Sequence, residues 1–151
     1  MKICFVASSG GHLEEIACLK KIEEENDCFL FTEKNAFNEL SFCEKVYYTK
    51  QTNRTEPLFF INFIKNFLKS FNILCRESPD CVISTGALMT YPICLLGKLM
   101  GKKIIYIESF ARIDKGSLTG KLMYPIADLF IVQWEELLNV YPKAIFTGGI
   151  F

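Results

Sequence analysis

The sequence predicts an α/β fold, a doubly wound and mostly parallel sheet with helices on both faces. Three observations carry that expectation. Apolar runs of strand length alternate with segments of helical period along the whole chain. Those runs, such as "KICFVA" and "KIIYI", are nearly continuous in large apolar residues, the pattern of strands buried on both faces. Loops rich in glycine and hydroxyls stand at strand ends ahead of helices, where ligands of such sheets bind. At 151 residues, half of them hydrophobic, the chain can bury a real core as one domain over 1–151.

The elements follow in order. Residues 2–7 read as a buried strand, and residues 12–25 as a helix with Leu13, Ile16, Ala17 and Leu19 toward the sheet. Further strands are expected at 28–33 and 45–50. Residues 57–75 make a long helix, with Pro57 suited to its first turn. Strands at 81–86, 103–109, 129–133 and 144–149 complete the sheet, separated by helices near 89–100, 117–126 and 134–141. No internal repeat, low-complexity tract or linker interrupts them.

Composition excludes several functions. Lys+Arg and Asp+Glu number 17 each, so there is no basic footprint for nucleic acid, and any anion site must be local. The seven cysteines show no C-x-x-C pair and the chain has one histidine, which argues against zinc. Packed, reduced thiols are expected, and with them a cytosolic setting. The opening "MKICFV" runs directly into a strand, leaving no room for a signal peptide or N-terminal anchor. The apolar stretches 57–74 and 91–101 are broken by Lys65, Lys69 and Lys98, and neither fits a membrane span of about 20 apolar residues.

Three strand-end loops carry candidate chemistry. In Ser8-Ser9-Gly10-Gly11-His12, helix amides and the helix dipole favour an anion, and glycines let backbone approach a phosphate. It is neither a G-x-G-x-x-G fingerprint nor a Walker loop. His12 fits three roles there: a capping group, a phosphate ligand, or a general base toward a sugar hydroxyl. The plain alternative is a tight turn capped by Ser8 or Ser9. The second loop, residues 84–92, offers Ser84, Thr85, Gly86 and Thr90 for an anion, a sugar or simply a helix cap. The third places Glu108 at the end of a very apolar strand, followed by Ser109, Arg112, Lys115 and Ser117. A carboxylate there is either a functional group whose desolvation a partner offsets, or half of a Glu108–Arg112 surface pair.

The helix over 57–74 has an unusually wide apolar arc, Phe59, Phe60, Phe63, Ile64, Phe67, Leu68 and Phe71, against a narrow polar face of Asn62, Lys65, Asn66 and Lys69. The excess is either core or partner contact, or it enters a membrane interface with Arg54, Lys65 and Lys69 near lipid phosphates.

"SSGGHLEEI", "STGALMTYPICLLGKLMGKKIIYIES", "GSLTGKLMYPIADLFIVQW" and "YPKAIFTGGIF", in this order, resemble the oligosaccharide-biosynthesis family typified by asparagine-linked glycosylation protein fourteen. The likeness runs over essentially the full length and is strongest to short bacterial relatives of capsule and exopolysaccharide clusters, including those described as β-1,4-galactosyltransferase enhancers. The order is also similar to the N-terminal, acceptor-binding half of the GT-B transferase that adds N-acetylglucosamine to the peptidoglycan lipid intermediate. That enzyme's glycine loops and His-Glu-Gln-Asn segment match Gly10-Gly11-His12, Thr85-Gly86 and Tyr106-Ile107-Glu108-Ser109, with the histidine of the last segment absent.

The resemblance implies a Rossmann-like acceptor half of an inverting, two-subunit UDP-sugar transferase. A separate donor-binding subunit, similar to glycosylation protein thirteen, would supply the half that a single-chain GT-B enzyme carries after its "FTGG" strand. The acceptor would be a polyprenyl-pyrophosphate-linked saccharide, and the chain would sit peripherally on the cytoplasmic face of the membrane. His12 and Glu108 would be the catalytic pair, with Ser9, Gly10, Gly11, Thr85, Gly86 and Arg112 binding acceptor and pyrophosphate. Phe59, Phe60, Phe63, Lys65, Phe67 and Lys69 would dock the membrane. No metal or cofactor is implied, since no Asp-x-Asp occurs and such enzymes neutralise the leaving group with protein dipoles. Two rivals stand beside this reading: a non-catalytic scaffold that recruits and enhances a transferase, and a stand-alone nucleotide- or flavin-binding protein that rests on fold analogy alone.

Overall fold

The computed structural model describes residues 1–34, 42–51 and 57–150. Its strands are β1 (Lys2–Ala7), β2 (Asp27–Glu33), β3 (Lys45–Thr49), β4 (Cys81–Gly86), β5 (Lys103–Ile107), β6 (Leu129–Val132) and β7 (Ile145–Phe146). They form one seven-stranded sheet of order β3-β2-β1-β4-β5-β6-β7, parallel at every pairing. The helices are α1 (Gly11–Ala17), α2 (Lys20–Glu24), α3 (Phe59–Glu77), α4 (Tyr91–Leu99) and α5 (Leu118–Met123), with 3-10 turns at Leu88–Thr90 and Glu135–Asn139.

The doubly wound expectation holds, and the period of two in β1 shows why. Ile3, Phe5 and Ala7 point to one face, where they pack with Leu13 and Ile16 of α1, Leu30, Ile83 and Ile107. Cys4 and Val6 point to the other, among Phe29, Phe31, Ile73, Leu74, Ile93, Tyr106, Met123 and Phe130. Both faces are therefore covered, as nearly continuous apolar strands require. Strand order reverses between β1 and β4, so the loops after these two strands flank the switch point at which such sheets bind ligands.

Several boundaries differ from the sequence reading. The helix expected over 12–25 breaks at Cys18–Leu19 into α1 and α2. The helix expected at 134–141 is a 3-10 turn, and the strand at 144–149 pairs only through Ile145–Phe146. β5 ends at Ile107, which puts Glu108 and Ser109 just beyond the sheet rather than in it. α3 starts at Phe59, so Pro57 precedes it. All seven cysteines are unpaired thiols; burial pushes Cys4 well above its ordinary pKa and Cys81 to about 11.

The amphipathic reading of α3 is corrected most. Asn66, placed on the polar face by its sequence, is fully buried, and its side-chain amide donates to the Met89 carbonyl at 2.8 Å. Ser70, one turn on, is buried beside it and donates to Asn66 Oδ1. A polar seam pins this half of the helix inward, and an apolar stripe faces out instead: Leu58, Phe60, Ile61, Ile64, Leu68 and Phe71 are 49–75% exposed. Phe59 stacks on Phe63, Phe63 meets Phe67 edge to face, and all three are half-buried. Lys65 and Lys69 are both exposed, and Lys69 also donates to the Tyr48 carbonyl; Arg54 lies outside the described residues. Because α3 leads from the carboxyl end of β3 to the amino end of β4, its apolar N-terminal half lies at the same sheet end as the loops after β1 and β4.

Candidate functional site

The site forms where the loops after β1, β4 and β5 meet. Gly10 turns the chain from β1 into α1 at φ 83°, ψ −144°, a conformation that side chains disfavour. It stands at the N-cap position with no side-chain cap hydrogen bond, so the expectation of a turn capped by Ser8 or Ser9 does not hold. The helical ladder opens with Leu13 and Glu14 donating to the Gly10 carbonyl, so the amides of Gly11 and His12 precede it. Gly10 and Gly11 are exposed and Ser9 is partly so, which leaves this backbone open to a ligand.

The loop after β4 lies beneath it. The Ser8 amide donates to the Gly86 carbonyl at 3.1 Å, and the Thr85 hydroxyl donates to the His12 carbonyl at 2.7 Å. Thr85 and Gly86 are buried, so they support the first loop rather than form its rim. The His12 imidazole rests on Gly86: a Cβ there would stand 3.0 Å from Cε1 and 3.3 Å from Nδ1. With Gly86 at φ 110°, conformation and close approach both select glycine.

His12 is 28% exposed at its side chain, and its Nδ1 is buried without a hydrogen-bond partner. The open part of the ring is therefore away from Nδ1. Burial lowers the His12 pKa from 6.5, and Arg112 lowers it further, while the Thr85 backbone and the charge of Glu108 work in the opposite direction. Arg112 is exposed on the loop after β5.

Glu108 is neither half of a surface pair nor open to a ligand. It is fully buried, and its carboxylate accepts from the Ser109 amide (3.0 Å), the Ser117 amide (3.0 Å), the Ser117 hydroxyl (2.8 Å) and the Tyr141 hydroxyl (3.1 Å). Ser117 in turn caps α5 by accepting from the Gly120 amide. A Cβ on Gly120 would lie 2.0 Å from Glu108 Oε2, so glycine is what allows α5 to approach the carboxylate. The geometry makes Glu108 the hub that folds residues 108–120 back over the sheet.

One residue beside His12 was missed in the sequence. Glu15, one turn after His12, is only 3% exposed; its Oε1 accepts from the Ser109 hydroxyl at 3.1 Å and the Phe110 amide at 2.9 Å. Its Oε2 is buried without a partner, 4.0 Å from His12 Nδ1. Burial raises the Glu15 pKa, opposed by the hydrogen bonds from Phe110 and Ser109. Its i,i+3 spacing from the only histidine was the available signal. Among the described residues, no cluster of three His, Cys, Asp or Glu is placed to hold a metal, and no helix is long and apolar enough to cross a membrane.

Known proteins share this architecture. Acinetobacter baumannii MurG superposes at a TM-score of 0.71 with 13% identity, covering 90% of this chain and 43% of that one. UDP-N-acetylglucosamine 2-epimerase from Rickettsia bellii superposes at 0.75 with 14% identity, covering 99% and 45%. At such identities the likeness is one of fold. In sequence, the human UDP-N-acetylglucosamine transferase subunit ALG14 is 26% identical over 179 residues, spanning 99% of this chain and 83% of its own. The Kluyveromyces lactis subunit of the same name is 48% identical over 78 residues, 51% of this chain and 32% of its own. The rat subunit is 40% identical over 87 residues, so that less than half of its length is matched. Residues 30–150 match the family model described as oligosaccharide biosynthesis protein Alg14 like, and the chain belongs to that family.

Proposed function

We propose that this chain is the acceptor-side subunit of a heteromeric, inverting glycosyltransferase. The observation that carries the reading is the His12 imidazole, held on Gly86 with Nδ1 buried and the rest of the ring partly open beside the exposed Gly10-Gly11 backbone. Relatives named as UDP-N-acetylglucosamine transferase subunits support the glycosyltransferase role. The donor is a UDP-sugar held by a separate subunit similar to glycosylation protein thirteen, and the acceptor is a polyprenyl-pyrophosphate-linked saccharide. Placement in capsule or exopolysaccharide assembly rests on the resemblance to short bacterial relatives alone.

In the proposed step, His12 Nε2 takes the proton of the acceptor hydroxyl as its oxygen attacks the anomeric carbon. The bond from that carbon to the UDP oxygen breaks on the opposite face, and UDP leaves with the electron pair. The Gly10, Gly11 and His12 amides at the start of α1 face the acceptor pyrophosphate, with Ser9 and Arg112 at the rim. Glu108 acts through structure, holding the loop that carries Arg112. The outward stripe of α3, with Lys65 beside it, lays the chain peripherally on the cytoplasmic leaflet, near the end of the sheet where the lipid acceptor would enter.

Transfer from UDP-N-acetylglucosamine and UDP-galactose to polyprenyl-pyrophosphate-linked N-acetylglucosamine or glucose tests this, with the chain alone, a donor-binding subunit from the same source alone, and the two mixed. Product only in the mixture is expected. Product from the donor subunit alone, merely increased by this chain, overturns the half-enzyme reading in favour of a scaffold.

A further inference from the structure

We propose that Glu15 is a positioning residue for His12: its Oε2 accepts the Nδ1 proton of the imidazole and so keeps Nε2 unprotonated toward the acceptor hydroxyl. This rests on the reading of His12 as the base. The two atoms are both buried, both lack a hydrogen-bond partner, and lie 4.0 Å apart. Leaving either unpaired costs free energy; pairing them satisfies both, provided that Nδ1 carries the proton. A shift of about 1 Å brings them to hydrogen-bond distance, and catalytic hydrogen bonds are commonly long before substrate binds.

Both partners are held from behind. Glu15 Oε1 is engaged by Ser109 and Phe110, which leaves Oε2 as the oxygen facing His12. The ring lies on Gly86, and the His12 carbonyl is fixed by Thr85. Two other charges act on the ring: Glu108 favours its protonation and Arg112 opposes it. Glu108 already accepts from Ser109, Ser117 and Tyr141, whereas Glu15 retains an unfilled acceptor. The Thr85 backbone is the rival acceptor for a ring N–H.

Glu15→Gln separates these possibilities. Ser109 and Phe110 both donate to the Oε1 position, so the glutamine carbonyl must occupy it and its NH2 must face His12. Nδ1 then has to accept, and the ring proton moves to Nε2. His12 is the only histidine, so the 15N spectrum of the untagged, imidazole-labelled chain reports this ring alone. The expected result is the Nδ1–H tautomer in the wild type and Nε2–H in Glu15→Gln, with kcat of the reconstituted pair reduced by roughly 10²–10⁴-fold. Nε2–H in the wild type overturns the proposal without any variant, so a failure of Glu15→Gln to fold does not protect it. An unchanged tautomer in a folded Glu15→Gln chain also overturns it and assigns the ring proton to the Thr85 backbone. A tautomer that switches while turnover stays constant supports the Glu15–His12 pairing and removes His12 as the base.

Discussion

Burial of His12 and its neighbour Arg112 favour the neutral ring over the charged one. A general base works in its neutral form, so activity should be level at and above neutral pH and fall only as pH drops through a value below 6.5. A kcat/KM–pH profile of the reconstituted pair, which reports the free enzyme's ionisation, measures this; an acid limb centred above 6.5 contradicts it. Gly86→Ala should press a methyl into the ring and strain a backbone at φ 110°, at a cost of about 1–3 kcal/mol in denaturant unfolding. A chain as stable as the wild type would refute that packing. The turn at Gly10 was legible in the sequence because two glycines at a strand end before a helix mark a sharp change of backbone direction. Glu15 was not, because its partners Ser109 and Phe110 lie 94 and 95 residues away and only the folded sheet brings them over α1.

At the scale of elements, the outward stripe of α3 and the inward hub of Glu108 make opposite predictions. Phe60 and Ile64 are 75% and 61% exposed, so Phe60→Glu with Ile64→Glu should leave stability within about 0.5 kcal/mol of wild type. The same pair should abolish co-sedimentation with anionic vesicles; retained sedimentation would place membrane contact elsewhere. Glu108→Ala leaves the Ser117 and Tyr141 hydroxyls and two loop amides without their acceptor, and should cost about 3 kcal/mol in chemical denaturation. The central strands β1, β2 and β4 were legible because burial on both faces writes a continuous apolar run. The face of α3 was not, since Asn66 and Ser70 reverse the rule that polar residues point outward, each being satisfied by a specific partner in the core. The break between α1 and α2 carries no glycine or proline in "ACLKKIE" to announce it.

The whole molecule divides its labour between the two ends of the sheet. The carboxyl end carries the loops around His12, while the amino end is tied by Glu77, whose carboxylate meets Lys45 at 2.6 Å and Lys2 at 2.9 Å and accepts from the Tyr47 hydroxyl. The Lys45, Tyr47 and Lys2 contacts hold the Glu77 pKa down to about 2 from 4.5. A carboxyl with a depressed folded-state pKa stabilises the fold above its unfolded value, and that contribution drains away as pH falls from about 4.5 toward about 2. Denaturant midpoints should therefore decline across that window, and the decline should be shallower in Glu77→Gln; equal slopes would rule this contact out as the source. The proposed function belongs to the other end, and there the question is whether the chain contributes a reacting group or only a platform. The most direct measurement is turnover of the reconstituted pair carrying His12→Ala, with complex assembly followed in the same samples. An intact complex with kcat reduced by roughly 10²–10⁴-fold is the expected result. An intact complex with near-full turnover would contradict the account and leave this chain a scaffold.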